Sequence, residues 1–175
     1  MGMEILLVVF GIGVLTKFVD LIVDEGLKLP GSLAYAGGTA YGILIAYVLV
    51  NHPLLAPLGF AIVIAVLVTK KIDSKPHVVG ILAMVLSLAV WGLPAVDLGL
   101  LLLFIAAGVA DEILSDPADR GRIKGILSKV LEKRVVLEIV TFLVSFATGY
   151  WIIFLGMLSY DVGYHLTGRT GKRFK

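Results

Sequence analysis

Asp20 and Asp24 stand four residues apart, so on a helix their carboxylates share one face about a turn from each other. A pair of this kind can hold a divalent cation. Oxygen-only ligation suits Mg2+ or Mn2+, and Mg2+ usually binds through one or two carboxylates plus a substrate phosphate. Lys70 and Lys71 would neutralise that phosphate. Asp111 and Glu112 form a second acidic pair, and because adjacent side chains on a helix point in different directions, at least one of them should face other helices. There it can join the metal, carry a proton or cation, or pair with Lys70 or Lys71. Lys17 lies three residues before Asp20, which also fits a simple i,i+3 ion pair at a water-facing helix end.

Weaker candidates lie further along. Asp73 and His77 are also four residues apart, but Pro76 between them interrupts a continuous helical face, leaving His77 as a metal ligand or as an interfacial loop histidine. Glu138 sits one turn into a later apolar segment. Asp161 and His165 share a face flanked by Tyr160 and Tyr164, which makes a second polar site or, in the alternative, a span end anchored by tyrosines at the bilayer interface. That end falls opposite the layer containing Asp20. The chain has no cysteine, so disulfides, thiolate catalysis and Cys-ligated zinc or iron–sulfur centres are excluded. Haem is not expected.

These groups need a scaffold, and composition indicates which. Hydrophobic residues make up 59% of the chain and charged residues 16%, with a mean hydropathy of +1.01, far more apolar than an ordinary soluble domain. The expected fold is an all-α, polytopic integral membrane bundle of about six transmembrane helices, in a single domain over 1–175. A spanning helix needs roughly 20 apolar residues, or about 17 in a thin bilayer. Segments 5–23, 33–50, 54–68, 78–93, 95–114 and 135–160 qualify or come close. Asn51-His52-Pro53 and Gly92-Leu93-Pro94 read as tight turns. Met1-Gly2-Met3-Glu4 enters the first segment with no basic leader or cleavage pattern, so it reads as a span and not a signal peptide. Ser115-Asp116-Pro117-Ala118-Asp119-Arg120 opens the one long polar connection. Its continuation, 121–134, sets Ile123, Ile126, Leu127, Val130 and Leu131 at helical spacing opposite Arg122, Lys124, Lys129 and Lys133. That pattern fits a short amphipathic helix lying on a membrane surface or packed on the bundle.

Basic residues near span ends favour the cytoplasmic side. Of the 15 Lys and Arg, 11 fall on one side in a six-span arrangement, which places that side and the 115–134 loop in the cytoplasm and the N-terminus outside. Arg169, Lys172, Arg173 and Lys175 then lie outside, against the rule. A chain that folds back near Thr148-Gly149, giving seven segments, would return them to the cytoplasm; six spans is the preferred expectation. A faint internal likeness reads either as a repeat of helical hairpins or as the chance resemblance of apolar helices of one length that end in charge. Pro53 to Pro76 and Pro94 to Pro117 share a length and a plan, with Lys70-Lys71 falling on Asp111-Glu112, and Thr16 to Asp20 echoes Thr69 to Asp73. The glycines of the second and last segments, Gly37, Gly38, Gly42, Gly149 and Gly156, read as close-packing positions between helices.

Asp20-x-x-x-Asp24 is similar to the acidic motifs of intramembrane prenyltransferases and CDP-alcohol phosphotransferases only in placing Asp near a helix end to hold a metal-bound phosphate. Those families carry two spaced Asp-rich motifs. Here no second D-x-x-x-D follows, and Asp116 and Asp119 are three apart across Pro117. Tyr160-Asp161 lacks the Gly-x-Gly-Asp partner of presenilin-type proteases. No family is therefore assigned. Three functions stand as expectations. The first is a metal-dependent enzyme acting on a lipid or isoprenoid phosphate at the cytoplasmic face. The second is a small cation or proton-coupled transporter or channel, and the third a non-catalytic membrane scaffold. The enzyme comes first because the charge gathers at one face while the middles of the spans are almost bare of ionisable groups. The expected partners are membrane lipids and a lipid phosphate or cation, with no nucleic acid; a homo-oligomer stays open.

Overall fold

A computed structural model describes residues 2–72, 74–119, 125 and 135–171. Every regular element among them is helical. In chain order these are α1 (Gly2–Val23), α2 (Gly31–Asn51), a 3-10 turn (Pro53–Leu55), α3 (Ala56–Val68), α4 (Lys75–Trp91), α5 (Leu98–Asp119), α6 (Val135–Thr148) and α7 (Ile152–Gly171). Met3–Val23, Gly31–Asn51 and Leu98–Ser115 are long and apolar enough to cross a membrane, and Pro53–Val68, Lys75–Trp91 and Val135–Thr148 are shorter apolar helices. Leu86, Val90, Leu93 and Phe146 are among many large apolar side chains left exposed, as on helices that meet lipid and not water. The hydroxyls of Thr39, Thr69, Thr148 and Thr167 each donate to the carbonyl four residues earlier, which satisfies a polar group without water.

The helices form two compact units. The first comprises Met1–Pro53, Ile72–Ala95 and Leu155–Lys175, and the second Leu54–Lys71 and Val96–Phe154.

In the first unit α2 and α4 run parallel in close contact. A stripe at every fourth position of α2, Ala34, Gly38, Gly42 and Ala46, is buried, and small residues at this spacing let backbones approach in a bilayer. A Cβ added at Gly38 would meet the Pro76 carbonyl, and one at Gly42 the Gly80 carbonyl. α7 runs parallel to α1. Ser159 Oγ donates to the Leu6 carbonyl at 2.7 Å, Gly163 lies on Phe10, Gly13 on Tyr160, Gly168 on Lys17 and Gly171 on Leu21. The chain leaves α1 through a glycine-capped turn. Leu27 N–H donates to the Leu21 carbonyl across Gly26, whose φ of +74° favours a residue without Cβ.

In the second unit α3 and α5 are the parallel pair, with Gly108 against Ala65 and Lys71 Nζ 3.8 Å from Glu112 Oε2. Each unit thus holds a parallel pair, α1 with α7 and α3 with α5. α6 starts against α5, where Asp111 Oδ1 accepts from Val136 N–H at 2.9 Å and Oδ2 from Leu137 N–H at 2.7 Å. Helix N-termini expose N–H groups with no intrahelical partner and a partial positive charge, so a buried carboxylate is well placed there.

Two sequence expectations change. The segment 135–160 is two helices and not one. Gly149, at φ +77°, caps α6, and buried Ser145 closes the break by donating to the Tyr150 carbonyl and accepting from Phe154 N–H, both at 3.1 Å. α5 continues through Pro117 to Asp119, whereas the sequence placed a loop from Ser115. A proline in the last turn removes only one intrahelical bond. The amphipathic segment 121–134 lies outside the described residues except for Gly125.

Candidate metal centre

Asp20 lies in the last turn of α1, Asp24 in the capping turn that follows, and His77 in the first turn of α4. One ligand atom from each lies within 4.8 Å of the others. The three come together because the α1 cap holds Asp24 close to Asp20, its N–H donating to the Asp20 carbonyl at 2.8 Å, while the packing in the first unit brings the start of α4 alongside. Asp24 is exposed and Asp20 and His77 are half-buried, so the group opens to solvent on one side.

Asp20 is the hub. His77 Nε2 lies 2.9 Å from its Oδ1, and Tyr164 of α7 donates its hydroxyl to Oδ2 at 2.6 Å. Behind His77, the Tyr41 hydroxyl of α2 is 2.8 Å from Nδ1. Lys17 pairs with Glu25, lies over the Tyr164 ring at 4.7 Å from its centroid and donates to its hydroxyl at 3.4 Å. A connected polar chain thus runs Tyr41–His77–Asp20–Tyr164–Lys17–Glu25. The i,i+3 partnership of Lys17 with Asp20 gives way to Glu25, because the turn at Gly26 folds Glu25 back along the helix.

The other candidates fall as follows. Asp161 and His165 lie on α7 beside Tyr164, whose ring stacks on Tyr160 and meets His165 edge-on. They therefore lie along α1 level with the stretch from Phe10 to Lys17, and not at the opposite end where the sequence placed them. The break before α7 reverses the direction assumed for that segment. Lys70, Lys71, Asp111, Glu112 and Glu138 belong to the second unit. There Asp111 caps α6 and Lys71 pairs with Glu112, both acids being almost fully buried. Glu138 occupies the first turn of α6, where an acid complements the helix dipole. Lys70 is exposed and takes a left-handed φ of 55° at the end of α3, a position glycine usually fills. Asp73 lies outside the described residues.

Sequence reasoning passed over Tyr41 and read Tyr164 as a flank of a second polar site or as an interfacial anchor, not as a partner of Asp20. The available signal for Tyr41 was its place beside a stripe of small residues, where a large side chain with a hydroxyl needs both room and a partner. Tyr164 gave no comparable signal, since its partner is 144 residues away.

A divalent cation among Asp20, Asp24 and His77 would have two carboxylates and one imidazole, with open positions towards solvent. That donor set can polarise a phosphoryl oxygen or a bound water. Comparisons with known protein families, with curated proteins and with solved structures find no match.

Proposed function

We propose that the chain is a multi-pass membrane protein that binds a divalent cation at Asp20, Asp24 and His77 and uses it on a lipid or isoprenoid phosphate at the cytoplasmic face. The observation that carries this is the convergence of three ligand groups, from two helix ends, within 4.8 Å. Asp20 and Asp24 were expected as metal ligands from their spacing alone; His77 adds a third donor from another helix. The cation would draw electrons from the phosphoryl group, and an exposed Asp24 leaves the reacting side open to substrate.

The membrane arrangement we favour has seven segments, α1 to α7. Seven alternating crossings place all 15 Lys and Arg on the same side, whereas six leave the basic tail on the wrong one. The parallel course of α1 and α7 supports the same arrangement, since two parallel spans end at the same face. The N-terminus is then outside and the C-terminus cytoplasmic.

A transporter or channel is the second reading. It is favoured by the connected polar chain, which can relay protons. The two functions separate in one series of experiments. Calorimetry on purified protein in detergent should detect Mn2+ or Mg2+ binding that Asp20→Asn and Asp24→Asn each weaken by more than about 100-fold, since even outer-shell partners cost about 10- to 100-fold. Metal-dependent turnover of a polyprenyl or glycerolipid phosphate would then support the enzyme. Binding without turnover, accompanied by cation or proton flux in liposomes, would establish transport instead. No metal binding at all would sink the centre.

A further inference from the structure

We infer that Tyr41 is the residue that positions His77 as a metal ligand, and that through His77 the centre takes an imidazole-accepting transition ion, Mn2+, Co2+ or Zn2+, in preference to Mg2+. This rests on the metal reading of Asp20, Asp24 and His77 given above.

The donor set comes first. Mg2+ favours an all-oxygen octahedron and retains its waters; Mn2+ also takes carboxylates but dehydrates more readily and accepts an imidazole beside them, and the later first-row ions such as Zn2+ take imidazole nitrogen readily. With a histidine as one of three ligand groups, the site is poorly matched to Mg2+. Asp20 and Asp24 by themselves suggested Mg2+ or Mn2+; His77 from α4 divides those two.

Whether His77 can act as a ligand depends on which nitrogen carries the proton. Nε2 faces Asp20 Oδ1 at 2.9 Å, and Nδ1 faces the Tyr41 hydroxyl at 2.8 Å. In the tautomer that donates Nε2–H to the carboxylate, Nδ1 accepts from Tyr41 O–H. To bind a cation through Nε2, the ring must carry its proton on Nδ1 and donate it to the Tyr41 oxygen. A hydroxyl can take both roles, because it has one proton to give and lone pairs to accept. A carboxylate or a backbone carbonyl in the same place would fit only one of the two tautomers. Ligand histidines are commonly fixed by a partner on their second nitrogen, and Tyr41 occupies that place.

The packing around Tyr41 serves this contact. Tyr41 is 6% exposed, so its hydroxyl has little access to water and His77 is its hydrogen-bond partner there. One turn after His77, Gly80 leaves space for the tyrosine: a Cβ at position 80 would come within 2.6 Å of the Tyr41 ring and hydroxyl. The α2–α4 crossing therefore seats a tyrosine against a histidine as well as joining two helices.

The test uses the full chain in detergent with the metals alone. Calorimetry should give the wild type at least a tenfold preference for Mn2+ or Zn2+ over Mg2+, and His77→Gln should narrow it. Tyr41→Phe keeps the ring and removes the hydroxyl; it should weaken Mn2+ and Zn2+ binding about 10- to 100-fold and shift the visible spectrum of bound Co2+. Gly80→Ala, which keeps the hydroxyl but displaces it, should reproduce the loss. If Tyr41→Phe binds Mn2+ as the wild type does, with an unchanged Co2+ spectrum, Tyr41 only packs helices and the inference fails while the centre stands. A wild type that prefers Mg2+ overturns the metal assignment. A wild type that binds none of these ions overturns the inference and the proposed centre together.

Discussion

Two buried or half-buried aspartates do different work here. Asp111 has both oxygens engaged by backbone N–H groups at the start of α6, at 2.9 and 2.7 Å, which is a capping role and accounts for an acid that is 4% exposed. Asp20 instead faces side chains, His77 and Tyr164, that can rearrange around a cation. The consequence is measurable by unfolding in detergent. Asp111→Ala should lower stability by about 2 kcal/mol, because hydrogen bonds to a charged group contribute about 1.5–3 kcal/mol and the N–H groups stay buried. Metal binding by Asp111→Ala should match the wild type. Asp20→Asn should behave in the reverse way, losing the metal at little cost in stability, since the amide keeps the shape and an acceptor oxygen.

Helix contacts in this chain are made where side chains are absent. At the α2–α4 crossing the glycines at 38 and 42 admit the backbone carbonyls of Pro76 and Gly80, and without a hydrophobic drive between helices in lipid such close contact is a main source of association. Gly42→Ala would put a methyl onto the Gly80 carbonyl and should cost about 1–3 kcal/mol as overpacking. Because the same crossing holds Tyr41 against His77, the variant should also weaken metal binding. Gly11 in α1 is the control, with nothing within 4 Å of an added Cβ. Gly11→Ala should leave stability unchanged or raise it by up to about 1 kcal/mol through helix propensity.

For the molecule in its membrane, the seven-segment arrangement makes a prediction that the absence of cysteine simplifies. Single cysteines can be introduced and labelled without background. A cysteine at Lys175 should react with a membrane-impermeant maleimide only from the cytoplasmic side, and one at Asn51 only from outside. Labelling of both from the same side would contradict seven crossings and restore six. In that arrangement the basic residues would gather on one face and favour anionic lipid headgroups there.

Much of this architecture was legible without coordinates. Hydrophobic runs long enough to cross a bilayer, proline and glycine turns between them, and the gathering of charge at helix ends follow from local composition, because a helix in lipid must satisfy its own backbone and exclude charge. The spacing of Asp20 and Asp24 was local too, and so was the turn at Thr148-Gly149. Whether that turn was used was not local: besides Ser145, which closes the break, it depends on α7 laying Gly163, Gly168 and Gly171 against α1. The partners of Asp20 were likewise hidden. His77 and Tyr164 reach it from other helices, and no spacing rule connects residues so far apart. The sequence by itself determined a helical, apolar, cysteine-free chain with an acidic pair at a helix end. Only the tertiary structure decided that the pair meets a histidine and two tyrosines, while the second acidic pair caps a helix and meets a lysine, because which helix faces meet depends on packing across the whole chain.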